Sequence, residues 1–76
     1  MVSFTEAAYA ILKAEGRPLT TKEITQKAIS RNLIKTQGKT PKETMYASIY
    51  LENKRKLKRG ADPRFKKVGI DTWDLV

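Results

Sequence analysis

The chain has 76 residues, among them neither cysteine nor histidine. A chain of this length forms one domain at most, and without those residue types it lacks a disulfide framework, the commonest metal ligands and the usual general base. Its formal net charge of +8 favours an acidic partner, most often nucleic acid. We expect residues 1–76 to form a single domain that needs no cofactor and takes no small-molecule substrate.

The first predicted helix spans residues 4–15. Ser3 and Glu6 have the spacing of a capping box at its start. Gly16 and Pro18 give a stop signal at its end. One face of this helix is apolar and is predicted to enter the core; it consists of Phe4, Ala7, Ala8, Ile11 and Leu12.

The second predicted helix spans residues 21–31. Thr20 and Glu23 form another capping-box pair. Asn32 is a residue type that can end a helix in the left-handed conformation. The apolar positions of this helix, with one residue just beyond its end, are Ile24, Ala28, Ile29 and Leu33.

The third predicted helix spans residues 41–57 and has a strong start signal. Thr40 can cap it, Pro41 suits its first turn, and Glu43 can complete a capping box. Projection at helical steps places Met45 and Ile49 toward the core. The other side carries Glu43, Tyr46, Ala47, Tyr50, Asn53 and Lys54.

The C-terminal segment is predicted to form a hairpin of two strands, residues 64–68 and 72–76, around a turn at residues 69–71. Phe65 and Val68 differ in parity, so we expect either a bulge or a strand covered on both faces. Three helices and a hairpin give a mainly α fold with a small β-hairpin, the winged helix-turn-helix. The third helix is then the recognition helix and the hairpin the wing.

Positive charge is concentrated in residues 53–67, which hold eight Lys or Arg and one Asp. Because this segment follows the predicted recognition helix and enters the predicted wing, it favours contact with phosphates. The alternative is a solvated charged surface. The cations concerned are Lys54, Arg55, Lys56, Lys58, Arg59, Arg64, Lys66 and Lys67.

The third helix offers further candidates. Tyr46 and Tyr50 can pack on sugars or thymine methyl groups, or they can cover the edge of the core. Lys42 and Asn53 suit base edges by residue type. A phosphate can also bind at the start of the helix, unless that end is simply capped. The predicted DNA-binding residues are Lys39, Thr40, Lys42, Glu43, Tyr46, Tyr50, Asn53, Lys54, Arg55, Lys58, Arg64, Lys66 and Lys67.

Enzymatic activity is not expected. Glu52 and Lys54 match half of a nuclease motif, but that chemistry also needs an upstream aspartate to hold a metal, and the first aspartate is Asp62. No apolar run approaches the roughly 18–20 residues of a membrane span, and no signal peptide is visible. We expect an intracellular protein, in the cytoplasm of a prokaryote or the nucleus of a eukaryote, with no membrane partner.

Several short motifs together suggest a family. They are the Ala7-Ala8 pair, Pro18-Leu19, Ile24, Gly38-Lys39-Thr40-Pro41 before Thr44, Arg64-Phe65, Val68-Gly69, and Trp73 with Leu75.

With these motifs, nearly the whole chain resembles the HARE-type helix-turn-helix family. That family occurs in some restriction endonucleases, plant homeodomain proteins and Additional-sex-combs-like chromatin proteins. A related winged helix forms the N-terminal part of the delta subunit of bacterial RNA polymerase. The resemblance implies a winged-helix fold that binds DNA within a larger DNA-modifying, restriction, chromatin or transcription protein, which can contribute another domain as a partner. Asp71 stands where relatives commonly have glycine, and its charge disfavours close phosphate contact at the wing turn.

Two functional hypotheses follow. In the first, the third helix, the basic tail and the wing bind double-stranded DNA. In the second, the domain is a protein-interaction module whose basic face docks an acidic partner, such as a component of the transcription machinery.

Overall fold

A computed structural model describes residues 3–35 and 41–76 of the chain. The described part has the predicted helices in the predicted places, and the C-terminal hairpin is extended by a short third strand. In chain order the elements are α1 (Phe4–Glu15), β1 (Leu19–Thr20), α2 (Thr21–Ser30), α3 (Pro41–Lys58), β2 (Phe65–Gly69) and β3 (Thr72–Leu75).

The caps explain where the first two helices begin. The Thr20 hydroxyl accepts from the Glu23 N–H at 3.2 Å and the Glu23 carboxylate accepts from the Thr20 N–H at 3.0 Å, which completes the predicted capping box. Ser3 likewise accepts from the Glu6 N–H. The Glu6 carboxylate, however, pairs with Arg64 at 3.0 Å. The predicted cap at Thr40 lies outside the described residues.

The ends of these helices also follow the sequence signals. Gly16 has φ +67° at the end of α1, and its N–H donates to the Leu12 carbonyl. Asn32 has φ +57° just beyond α2. Both residues take the left-handed conformation, which glycine and asparagine adopt at lower cost than other residues.

The sheet is antiparallel with strand order β1-β3-β2. The sequence interpretation missed β1, because two residues are too few to show the alternation of a strand. In the structure Leu19 pairs with Trp73 and Thr20 with Thr72. One short segment thus ends the sheet and caps α2.

The hairpin contains the predicted bulge. The register between β2 and β3 shifts between Lys67 and Gly69, and Val68 is left 47% exposed. The turn is shorter than predicted, because Gly69 still belongs to β2. Asp71 in this turn has φ +54°, a conformation that aspartate tolerates better than most residues.

One hydrophobic core joins the helices to the sheet. Met45 and Ile49 of α3 are fully buried, as the helical projection predicted. They pack in the same cluster as the apolar face of α1 and the aromatic side chains Phe65 and Trp73 of the sheet. The architecture is a winged helix-turn-helix, with α2 and α3 as its second and third helices. None of the described helices has the length and apolar character needed to cross a membrane.

Candidate nucleic-acid interface

Two surfaces flank the buried face of α3. We call Tyr46, Tyr50, Asn53, Lys54 and Leu57 the wing flank, because they share a groove with Lys67 of β2 and Trp73 of β3. We call Ser48, Leu51, Glu52, Arg55 and Arg59 the α1 flank, because they share another groove with the first residues of α1. The predicted DNA-binding residues of α3 are therefore distributed over two sides of the helix.

Aromatic rings form a continuous series along the wing flank. The edge of the half-buried Tyr46 ring packs on buried Trp73, with ring centres 5.5 Å apart. Tyr50 lies one helical turn further along, nearly parallel to Tyr46, with 6.5 Å between ring centres. Tyr46 thus covers the edge of the core while half of Tyr50 faces solvent, so both readings of the tyrosines apply in part.

Two lysine ammonium groups lie over these rings. Lys67 Nζ is 5.6 Å from the centre of the Tyr46 ring and donates to its hydroxyl at 3.3 Å. Lys54 Nζ is 6.0 Å from the centre of the Tyr50 ring. Such cation–π contacts position an ammonium group without neutralising its charge. The wing-flank groove, about 330 Å³ in volume, therefore has an aromatic floor and a cation on each side.

Asn53 connects α3 to the wing. Its side-chain amide donates to the Phe65 carbonyl at 2.8 Å, and its Oδ1 atom is buried without a hydrogen-bond partner among the described residues. The amide donor that a base edge would need is therefore already engaged. The contacts indicate a structural role for Asn53, fixing β2 against the helix.

Arg64 is the most strongly engaged cation of the basic segment. Its guanidinium donates to both carboxylate oxygens of Glu52, at 2.6 and 3.1 Å, and contacts Glu6 at 3.0 Å. It also lies 5.0 Å from the centre of the Tyr9 ring. The hydrogen bonds to Glu52 raise the pKa of Arg64. With its side chain only 23% exposed and two carboxylates around it, Arg64 holds the wing to α1 and α3.

The wing turn is bound to the start of α2. The Thr21 N–H donates to the Asp71 carbonyl at 2.9 Å, and the Thr21 hydroxyl donates to Asp71 Oδ1 at 2.8 Å. The same hydroxyl accepts from the indole N–H of Trp73 at 3.0 Å. Lys42 of α3 lies 3.7 Å from Asp71 Oδ2. The Asp71 carboxylate therefore serves a hydrogen-bond network inside the protein, a role that its place in the sequence did not reveal.

The other predicted residues differ in their surroundings. Glu43, Lys58 and Lys66 are exposed, the first two on α3 and the last on β2. Arg55 is exposed on the α1 flank, away from the aromatic series. Lys39 and Thr40 lie outside the described residues.

Sequence reasoning missed Leu57 as part of the site. Its side chain is 65% exposed at the end of the wing-flank groove. The spacing offered a signal, because Leu57 follows Tyr46 and Tyr50 at 11 and 7 residues, positions that return to nearly the same side of a helix. The contacts of Thr21 had no comparable signal, since its partners lie about 50 residues away in the chain.

Comparison with known proteins identifies the family. Residues 2–76 match the model of the HARE-HTH family, described as a helix-turn-helix domain of ASXL and restriction endonuclease proteins. No curated protein and no solved structure gives a significant match. HARE-HTH is a family of helix-turn-helix domains and not of catalytic ones, which points to nucleic-acid binding, and in particular DNA. With the family model covering essentially the whole chain, the protein belongs to the HARE-HTH family.

Proposed function

We propose that this chain is a non-catalytic module that binds double-stranded DNA through the wing flank of α3 and the adjacent strand β2. The observation that carries the proposal is the placement of Lys54 and Lys67 over the rings of Tyr50 and Tyr46. Two unneutralised cations lie beside exposed aromatic surface, on the helix that helix-turn-helix proteins place in the major groove.

Each part of this surface suits a different part of a duplex. The two ammonium groups suit phosphates on either side of a groove. The exposed face of Tyr50 suits a sugar or a thymine methyl group. Lys42 at the start of α3 and Lys66 on β2 extend the positive surface along the same helix and strand. Four to six phosphate contacts give a log–log salt slope of about −4 to −5.

Three of the predicted residues are left out of this surface. Asn53 and Arg64 are left out because their donors are engaged within the protein. Arg55 is left out because it lies on the α1 flank. Glu43 borders the surface but repels phosphates, so we assign it no contact. Lys39 and Thr40 remain predictions for a phosphate at the start of α3.

The proposed surface is small. A single module of this type buries about 600–1,000 Å² of protein surface on DNA, which limits the sequence specificity it can achieve alone. We therefore propose that the chain targets a larger DNA-modifying, restriction or transcription protein to DNA, with another domain supplying the remaining specificity.

A salt titration with single lysine variants tests the proposal. Fluorescence polarisation of a labelled duplex is measured for the wild type, Lys54→Gln and Lys67→Gln. Lys13→Gln is the matched control, because the Lys13 ammonium lies 5.8 Å from the ring centre of Tyr9 on α1, a contact like that of Lys54. We expect each wing-flank variant to weaken binding and to reduce the salt slope by about 1, with no change in the control. Absence of duplex binding at low salt, or an equal loss in Lys13→Gln, contradicts the proposal.

A further inference from the structure

The groove on the α1 flank has no role in the proposed DNA surface. It has a volume of about 620 Å³ and lies between the first residues of α1 and the second half of α3. Its lining includes the partly buried ring of Phe4 and the side chain of Leu51, which is 45% exposed. Apolar surface is thus accessible at a place where the helix is otherwise charged.

Cations surround this apolar surface. Within residues 3–35 and 41–76 none of them forms an ion pair, and the one carboxylate in the lining, Glu52, is bound by Arg64. The groove therefore has an uncompensated positive charge. Its four cations are Arg55, Lys56, Lys58 and Arg59.

The groove is separate from the wing flank. Each flank presents one exposed leucine, Leu51 on the α1 side and Leu57 on the wing side. Six residues of α-helix place these two side chains about 120° apart around the axis. A ligand in the α1-flank groove therefore leaves the aromatic rings and lysines of the other flank accessible.

We propose that this groove binds a short acidic segment of a partner protein, in which an apolar side chain is flanked by Asp or Glu. The apolar side chain covers Leu51 and Phe4, and the carboxylates pair with the guanidinium groups of Arg55 and Arg59. Charge complementarity selects an acidic occupant, and the apolar floor distinguishes a peptide from a phosphate backbone, which has no group to cover it. This surface lets a DNA-bound module hold a protein partner at the same time, and it does not depend on DNA binding.

The test uses a fluorescein-labelled peptide of about 12 residues in which Leu and Phe lie one helical turn apart among Asp and Glu. Its affinity is measured for the wild type and for Leu51→Ser, with Leu57→Ser as the matched control on the opposite flank. We expect Leu51→Ser to weaken binding at least fivefold and Leu57→Ser to change it less than twofold. Arg55→Gln combined with Arg59→Gln weakens it more than tenfold. Thermal melts confirm that each variant is folded.

A second arm separates the peptide from DNA. Saturating duplex leaves the labelled peptide bound, and the Arg55→Gln, Arg59→Gln variant keeps its duplex affinity within threefold. The proposal is overturned if the peptide does not bind, if a peptide with Ser in place of Leu and Phe binds equally well, or if Leu51→Ser and Leu57→Ser have equal effects. It is also overturned if duplex displaces the peptide. Loss of duplex binding with intact peptide binding rejects the proposed DNA function alone.

Discussion

The two flanks of α3 contain similar numbers of basic residues but differ in chemistry. On the wing flank, Lys54 and Lys67 are positioned over tyrosine rings that continue into the core through Trp73. On the α1 flank, Arg55 and Arg59 border an open groove around a half-exposed leucine. The comparison teaches that positive charge becomes a binding surface according to what lies beneath it.

Helix geometry explains how one run of charge forms two surfaces. Lys54 and Arg55 are adjacent in sequence, and consecutive helical residues point about 100° apart. Neighbours in the run must therefore face different surroundings. The third kind of surroundings is that of Arg64, where two carboxylates take up the charge.

The largest effect is expected from reversing charge on one flank at a time. Lys54→Glu with Lys67→Glu should weaken duplex binding roughly 100-fold at low salt, because two phosphate contacts become repulsive. Arg55→Glu with Arg59→Glu changes the net charge by the same amount and should cost less than tenfold. Polarisation titrations of the two double variants measure this directly. Equal losses would show that total charge, and not its placement, governs binding.

The next effect concerns the cation that the protein uses for itself. Arg64→Ala should lower the free energy of unfolding by about 2 kcal/mol, because it removes charge-assisted hydrogen bonds to Glu52 and the contact with Glu6. For a domain of this size that corresponds to roughly 10 °C in melting temperature. Lys66→Ala, at the exposed position two residues along, is the control and should melt close to the wild type. A melting temperature for Arg64→Ala within 2 °C of the control would contradict the structural role.

A smaller loss of stability is expected at the wing turn. Thr21→Val removes the hydroxyl that bonds Asp71 and Trp73 and should cost about 1–1.5 kcal/mol. Thr25→Val is the control, because that buried hydroxyl bonds only the carbonyl one turn back in its own helix. Urea unfolding followed by Trp73 fluorescence measures both. Equal costs for the two variants would mean that the hydroxyl does not anchor the turn.

The smallest effect is on the pH dependence of stability. Hydrogen bonds from Lys27 and Arg31 lower the pKa of Glu15, so its carboxylate stabilises the folded protein above the unfolded pKa of about 4.3. That contribution is lost as the pH falls through the folded pKa. Glu15→Gln should therefore flatten the decline in stability below about pH 5, as measured by urea midpoints. Glu43→Gln, at an exposed position on α3, is the control, and an unchanged decline in Glu15→Gln would contradict the assignment.

The fold followed from the sequence more fully than the site did. Capping signals at Ser3 and Thr20 and the stop at Gly16 are local, so they located the helix ends. The roles of Asn53, Arg64 and Asp71 depend on partners distant in the chain, and residue type alone suggested DNA contact or repulsion. The strand β1 was too short to show a pattern of its own.

An NMR titration of the isotopically labelled protein with a DNA duplex tests the central claim most directly. We predict that the largest amide shifts at low salt occur at Tyr46, Tyr50, Lys54 and Lys67, and that those of Leu51, Arg55 and Arg59 are small. Shifts that are largest on the α1 flank, or spread evenly over both flanks, would contradict the account.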